Sequence, residues 1–312
     1  MRKAWWVIIP LLMMLAGCGP EGYTRIDPGG NYVYSNPAWS PDSQHIAYTR
    51  CAIYDKEKGR KAPSCELFVM ALATRDTRQL TQNEVYDGQP SWSPDGQQIV
   101  YRREEARRDS SRGDSLRVIA ADGSSDAEVF ACPRACNTPD WSPRANVIAF
   151  QMIDAAPATA TVDTPSNLYL IRSDGGTVRQ LTQGTQPVWR PRWSPDGTAI
   201  VFRRAADQPI CAIAVATGQE TAYATGEARG PDEPIFTPDG SGIVFAAYGS
   251  AQGQRLFQLD RASGSIGLLL NAADDYPPDM KEPAWSPDGK QIVFSAFYER
   301  LYLADWEKTR NP

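Results

Sequence analysis

The stretch Gln89-Pro-Ser-Trp-Ser-Pro-Asp-Gly96, with Ile99-Val-Tyr101 two residues further on, decides the reading of the chain because it recurs. Matching octapeptides open at Asn36, Thr138, Arg190, Glu233 and Glu282, and each leads into a short apolar run such as Ile46-Ala-Tyr48, Ile148-Ala-Phe150 or Ile292-Val-Phe294. The aromatic positions are Trp39, Trp92, Trp141, Trp193, Phe236 and Trp285, spaced by 53, 49, 52, 43 and 49 residues. Ser-Pro-Asp-Gly is turn chemistry: Pro presets φ, Asp bonds nearby backbone, and Gly accepts a positive φ. The β-branched and aromatic run after it reads as a buried strand. A third strand follows (Leu67 to Ala71 in the first copy), then an Arg-Gln-Leu-Thr strand at Arg78 to Thr81 and Arg179 to Thr182. A period near 49 with four strands per unit predicts one propeller blade per repeat.

The predicted fold is therefore all-β, a six-bladed β-propeller of four-stranded antiparallel blades. The sixth copy supplies three strands, and an open blade edge invites aggregation. Tyr23 to Asp27 lies upstream of Trp39 at about the offset that separates Leu80 from Trp92, so it is predicted to be the outer strand of the last blade and to close the ring.

The repeated Trp-Ser-Pro-Asp-Gly with its Ile-x-Phe strand resembles the TolB-type, WD40-like (PD40) propeller repeat, and the resemblance covers nearly all of residues 23–312. It implies a propeller that binds other envelope components, and speaks far more to fold than to function. Some propellers of this type carry an α/β-hydrolase domain. No Gly-x-Ser-x-Gly elbow occurs here, and no segment is assigned to the N-terminal domain that precedes the propeller in TolB, which leaves that family's partner an open question.

Met1-Arg2-Lys3, the apolar run Ala4 to Ala16, and Leu15-Ala16-Gly17-Cys18 have the layout of a secretory signal too short to span a bilayer comfortably. The tetrapeptide resembles the lipobox of bacterial lipoproteins. It implies a signal peptide over 1–17, a lipidated Cys18 heading a linker over 18–22, and a propeller over 23–312. Gly19 after the cysteine favours, by the same resemblance, the outer membrane, facing the periplasm or the cell surface. Export makes disulfides plausible: Cys51 with Cys65 across a polar insertion, and Cys132 with Cys136 around a small loop. Zinc competes for these four, although neither pair has C-x-x-C spacing. Cys211 reads as a buried thiol.

The 312 residues carry 42% hydrophobic and 22% charged content, as a folded globular protein does. Lys+Arg 32 against Asp+Glu 37 gives a net charge of -5, which argues against nucleic acid as a partner. One histidine, His45, argues against His-based metal sites and Ser-His-Asp catalysis, and it is expected on a strand surface. The repeated tryptophans could stack sugars, but recurrence in every repeat favours packing between blades. Asp42, Asp95, Asp196, Asp239 and Asp288 could ring a calcium ion, but their place in the turn favours local bonding. No metal, cofactor or catalytic group is expected.

Residues that the repeat does not explain cluster in the loops entering the innermost strands: Tyr34, Tyr86, Asp87, Trp189, Arg190, Arg229, Glu233, Tyr276 and Glu282. Aromatic residues with Arg are the usual anchors of protein interfaces, so these are the candidate contacts to an envelope protein or peptide at the channel mouth. The alternative is a glycan or small ligand held by Trp189 and the loop tyrosines. A third class is an enzyme using carboxylates such as Glu233 and Glu282.

Overall fold

The computed structural model describes residues 23–53, 64–104, 114–133, 135–153, 164–204, 210–249, 253–270, 279–296 and 300–306. The expected signal segment, Cys18 with its linker, and Tyr276 lie outside the described residues.

Strands β2 to β5 (Tyr32–Trp39, His45–Ala52, Cys65–Ala71, Thr77–Gln79) and β6 to β9 (Tyr86–Trp92, Gln98–Glu104, Ser115–Ala120, Asp126–Ala131) each form an antiparallel run of four. A single parallel pair, Cys65 with Tyr86, links the two runs into one eight-stranded sheet. Three separate four-stranded antiparallel sheets follow. They are β10 to β13 (Cys136–Trp141, Val147–Ile153, Ser166–Arg172, Arg179–Gln180), β14 to β17 (Val188–Trp193, Ala199–Arg204, Ile210–Ala214, Glu220–Tyr223) and β18 to β21 (Arg229–Phe236, Gly242–Tyr248, Gln254–Asp260, Ile266–Leu268). The last sheet holds β22 to β24 (Lys281–Trp285, Gln291–Ala296, Arg300–Asp305) and takes its fourth strand from the other end of the chain, β1 (Tyr23–Arg25), paired with β24. The innermost strands β2, β6, β10, β14, β18 and β22 touch in a closed cycle. This is the propeller architecture, with antiparallel four-stranded blades.

β1 is shorter than the Tyr23 to Asp27 expected. Ile26 continues with one bond to Leu301, and the Asp27 carboxylate turns back to accept from Arg25 (2.7 Å) and from Gly29 N–H (2.9 Å). The fourth strands shorten for a similar reason. Thr81 and Thr182 leave the ladder, and their hydroxyls accept the Leu67 and Leu168 amides, both at 3.0 Å.

The second strands place Tyr48, Tyr101, Phe150, Phe202, Phe245 and Phe294 at 0% exposure, stacked between sheets. Burying an aromatic or branched side chain is worth roughly 1.5–3 kcal/mol, so these apolar runs dominate the packing. The repeated Trp residues join neighbouring sheets directly. Trp39, Trp92 and Trp193 donate their indole N–H to the carbonyls of Ala284 (3.0 Å), Ala38 (3.1 Å) and Asp140 (3.0 Å) of the adjoining innermost strand. In the turns, the Asp95 carboxylate accepts from the Ser93 hydroxyl (2.6 Å) and the Gln97 amide (3.0 Å), which holds it below the usual carboxylate range. Asp196, Asp239 and Asp288 repeat this arrangement, so the acids serve their own turns. His45 lies half exposed at the start of β3, 3.7 Å from Asp42.

Cys51–Cys65 and Cys132–Cys136 are disulfides, and Cys211 is buried and unbridged. The first bridge ties β3 to β4 beneath the insertion, and the second ties the end of β9 to the start of β10.

Candidate functional site: the central channel and its two mouths

Every innermost strand carries a register shift at its x-Pro pair, for example between Ser35 and Ala38, or Gly88 and Ser91. Proline has no N–H to give a ladder, so a bulge is where a strand tolerates it. The residue before it takes a left-handed backbone each time: Asn36 (φ 50°), Gln89 (59°), Thr138 (48°), Arg190 (56°), Glu233 (56°) and Glu282 (53°). Six such residues at one position of the repeat form a ring within the channel.

Several neighbours in the ring bond to one another across sheet boundaries. Gln89 Oε1 accepts the Thr138 amide (2.7 Å), Glu233 accepts the Glu282 amide, and Glu282 accepts both the Asn36 amide (2.7 Å) and Asn36 Nδ2 (2.6 Å). The Ser295 hydroxyl also donates to Glu282 (3.0 Å). Arg190 sits 3.1 Å from Glu233 and 4.0 Å from Glu282. Burial pushes the Glu233 carboxyl up to about 7, with Glu282 and Asp232 adding repulsion and Arg190 opposing it. Arg190 is raised above its ordinary value: burial acts against its charge, but Glu233 and Glu282 outweigh it.

Several expected partner contacts are thereby spent inside the protein. Tyr34 has 0% exposure and packs with Tyr48 and Phe68, its hydroxyl donating to Gly29 O; it presents nothing to a partner. Asp87, also at 0%, is held by both arms of Arg103 (2.7 and 2.8 Å) and by Asn83 (2.6 Å). Both are corrections to the sequence reading, which took loop position for exposure. Glu233 and Glu282 face the lumen as ring members, and the gap beside them and Arg190 has about 10 Å³, roughly one water. Tyr86 is half-buried, lies over Gly88, and has Arg102 5.4 Å from its ring centre. A Cβ at position 88 would fall 2.5 Å from the Tyr86 hydroxyl, so a larger residue there would displace the Tyr86 ring. Arg229 is exposed and makes no ion pair among the described residues. Trp189 is half-buried with Arg203 4.3 Å from its ring centre.

The two mouths differ. On the loop side a polar pocket of about 270 Å³ lies between β6, β10 and β14 beside Trp189 and Arg190. On the turn side, where the innermost strands end, a funnel of about 510 Å³ is lined by the repeat itself: the five Trp residues, Phe236 and their flanking prolines. The sequence reading assigned these aromatics to packing. Trp39, Trp92, Trp141 and Phe236 are indeed buried, but Trp193 and Trp285 are half-buried, and one edge of each ring helps form the funnel. Arg144 and Arg192 stand on one sector of it, Arg144 bonding Pro195 O at 3.2 Å and Arg192 lying 4.0 Å from Asp140. Gln89, Thr138, Asp140, Arg144 and Arg192 were absent from the expected site. The available signal was departure from the repeat: Arg144 for the turn Asp, and Asp140 where other copies carry Ala38, Ser91 or Ala284. Among the described residues, no group of three or more His, Cys, Asp or Glu could hold a metal ion.

Fold and site together define a β-propeller with a closed inner ring and two chemically distinct mouths. Solved structures share this fold. A protein assigned as TolB from Agrobacterium tumefaciens matches with a TM-score of 0.62 and 24% identity over 77% of this chain and 84% of that one. TolB from Acinetobacter baumannii matches with a TM-score of 0.63 and 15% identity over 86% of this chain and 65% of its own. An oligogalacturonate lyase in complex with manganese shares the fold at 18% identity and a TM-score of 0.59, covering 90% of this chain and 79% of its own. Among curated proteins, the uncharacterized protein Atu1656 of Agrobacterium fabrum is 29% identical over 211 residues, 66% of this chain; the match spans 65% of that relative's length. No family model matches the chain.

Proposed function

We propose that the chain is an exported, lipid-anchored, six-bladed propeller of the TolB type that serves as a non-enzymatic docking scaffold for an envelope protein or peptide. Residues 1–17 are the signal peptide, 18–22 the linker headed by lipidated Cys18, and 23–312 the propeller. The six-blade count treats β2 to β5 and β6 to β9 as two blades, in keeping with the cycle of innermost strands. Two disulfides suit an oxidising compartment.

The observation that carries the docking reading is the turn-side funnel. An aromatic-walled depression of about 510 Å³ with a basic sector suits a segment that carries both an apolar side chain and a carboxylate, and buried aromatics with Arg are what protein interfaces use as anchors. On the loop side, by contrast, Arg190, Glu233 and Glu282 are paired within the ring.

The test is crosslinked affinity capture from envelope membranes, comparing wild type with Ala38→Trp, which fills the funnel, and Arg229→Ala on the loop side. A partner lost with Ala38→Trp and kept with Arg229→Ala is expected. Loss with Arg229→Ala alone moves the site to the loop mouth, and equal recovery in all three refutes the reading. Cys18→Ala should release the protein from membranes, as seen by fractionation.

A further inference from the structure

We propose that the loop-side pocket beside the channel is a binding site for an uncharged, hydroxyl-rich ring, a neutral pyranose. The proposal is independent of the funnel, which lies at the other mouth.

Four observations converge. The pocket has about 270 Å³, below the usual range for drug-sized ligands and suited to a single sugar ring. One wall is Trp189, half-exposed and steadied by Arg203 at 4.3 Å, an indole against which the C–H face of a pyranose can lie. Around it stand three side-chain amides from three strands, with bonding capacity left over. Gln89 on β6 uses its oxygen on the Thr138 amide and retains its NH2. Gln151 on β11 gives its NH2 to Ser166 (3.0 Å) and retains its oxygen. Asn137 on β10 makes no side-chain hydrogen bond among the described residues. Thr138, 4% exposed, lies on the same wall with its hydroxyl buried and unpartnered.

Electrostatics sets the class of ligand. The pocket's one full charge is Arg190, and that guanidinium is already answered by Glu233 at 3.1 Å and Glu282 at 4.0 Å. An anion would have to compete with two buried carboxylates for it, and a cation would meet it unpaired. A neutral ligand that both donates and accepts matches amides that offer an NH2 at one position and a carbonyl at another. Sugar hydroxyls do this without charge; a uronate carboxylate supplies acceptors alone, and a phosphate brings a full negative charge.

The test uses the full chain in a sugar-free detergent and saturation-transfer NMR with calorimetry. The probes are methyl glucoside, methyl galactoside, methyl mannoside and N-acetylglucosamine, with galacturonate and inorganic phosphate as charged comparators. At least one neutral probe should bind saturably below about 50 mM. Trp189→Ala and Asn137→Ala should each weaken it about tenfold or more, while Ala38→Trp in the funnel leaves it unchanged. Thermal melts of each variant confirm folding, and Gln151→Leu, which keeps side-chain volume but removes the acceptor together with the NH2 bonded to Ser166, gives a second reading of the same site. Binding insensitive to all three pocket variants overturns the proposal, as does no saturable binding by any neutral probe, or tighter binding of galacturonate or phosphate.

Discussion

Replacing Glu282 by Ala should loosen the seam where the last sheet meets the first. The carboxylate receives the Asn36 amide at 2.7 Å, Asn36 Nδ2 at 2.6 Å and the Ser295 hydroxyl at 3.0 Å, with Arg190 4.0 Å away. Asn36 is 8% exposed and Ser295 2%, so water reaches these donors poorly once the acceptor is gone. A hydrogen bond to a charged group contributes about 1.5–3 kcal/mol, and an orphaned buried donor costs about 1–3 kcal/mol. The three donors share one carboxylate, and the space left by the side chain admits some water, so the loss should be about 3 kcal/mol. At this size that corresponds to a fall in Tm of roughly 5 °C. Glu282→Gln, which keeps one carbonyl acceptor in place, should lose about half as much. The assay is urea unfolding and thermal melting at pH 7.5, without reductant. A Glu282→Ala protein within about 0.5 kcal/mol of wild type would show that the inner ring is incidental to closure, and would refute the argument.

Three further outcomes follow from particular residues. With the Glu233 carboxyl at about 7 in the fold, against an ordinary value of 4.5, the folded state holds a proton that the unfolded chain releases. Its contribution is therefore most favourable below about pH 4.5 and declines as pH rises to about 7, by roughly 3 kcal/mol at most; Glu233→Gln should flatten that part of the Tm-against-pH curve. Removing the Cys51–Cys65 bridge, which spans 14 residues, with paired serines should cost about 2–3 kcal/mol in non-reducing melts, and any further loss on adding reductant to the variant then reports the Cys132–Cys136 bridge alone. Trp92→Phe loses the bond to Ala38 O, whereas the Trp141 indole N–H has no partner, so urea midpoints should show Trp92→Phe costing about 1 kcal/mol more than Trp141→Phe.

Much of the local structure was legible because its causes are local. Asp95 serves Ser93 and Gln97 within one turn, and the Ile-x-aromatic runs are buried strands wherever they occur. Burial of loop residues was not legible. Tyr34 and Asp87 resemble surface anchors in sequence, and Arg103, sixteen positions beyond Asp87, turns the latter into an internal ion pair. The aromatic at each repeat was read correctly as packing, but its second role at the funnel depends on which ring edges the neighbouring sheet leaves uncovered.

The sequence by itself determined the repeat unit, its turns and its buried strands, and favoured pairing Cys51 with Cys65 and Cys132 with Cys136, because these depend on residues close together in the chain. It also pointed to the N-terminal strand as the missing edge, since an unpaired strand is costly wherever it occurs. The tertiary structure alone decided the chemistry of the channel. Asn36 and Glu282 are 246 positions apart and meet across two hydrogen bonds, and Arg190 finds two carboxylates on two other strands. Closing a ring brings equivalent positions of distant repeats face to face. What those positions do then depends on their neighbours around the circle, which no single repeat can specify.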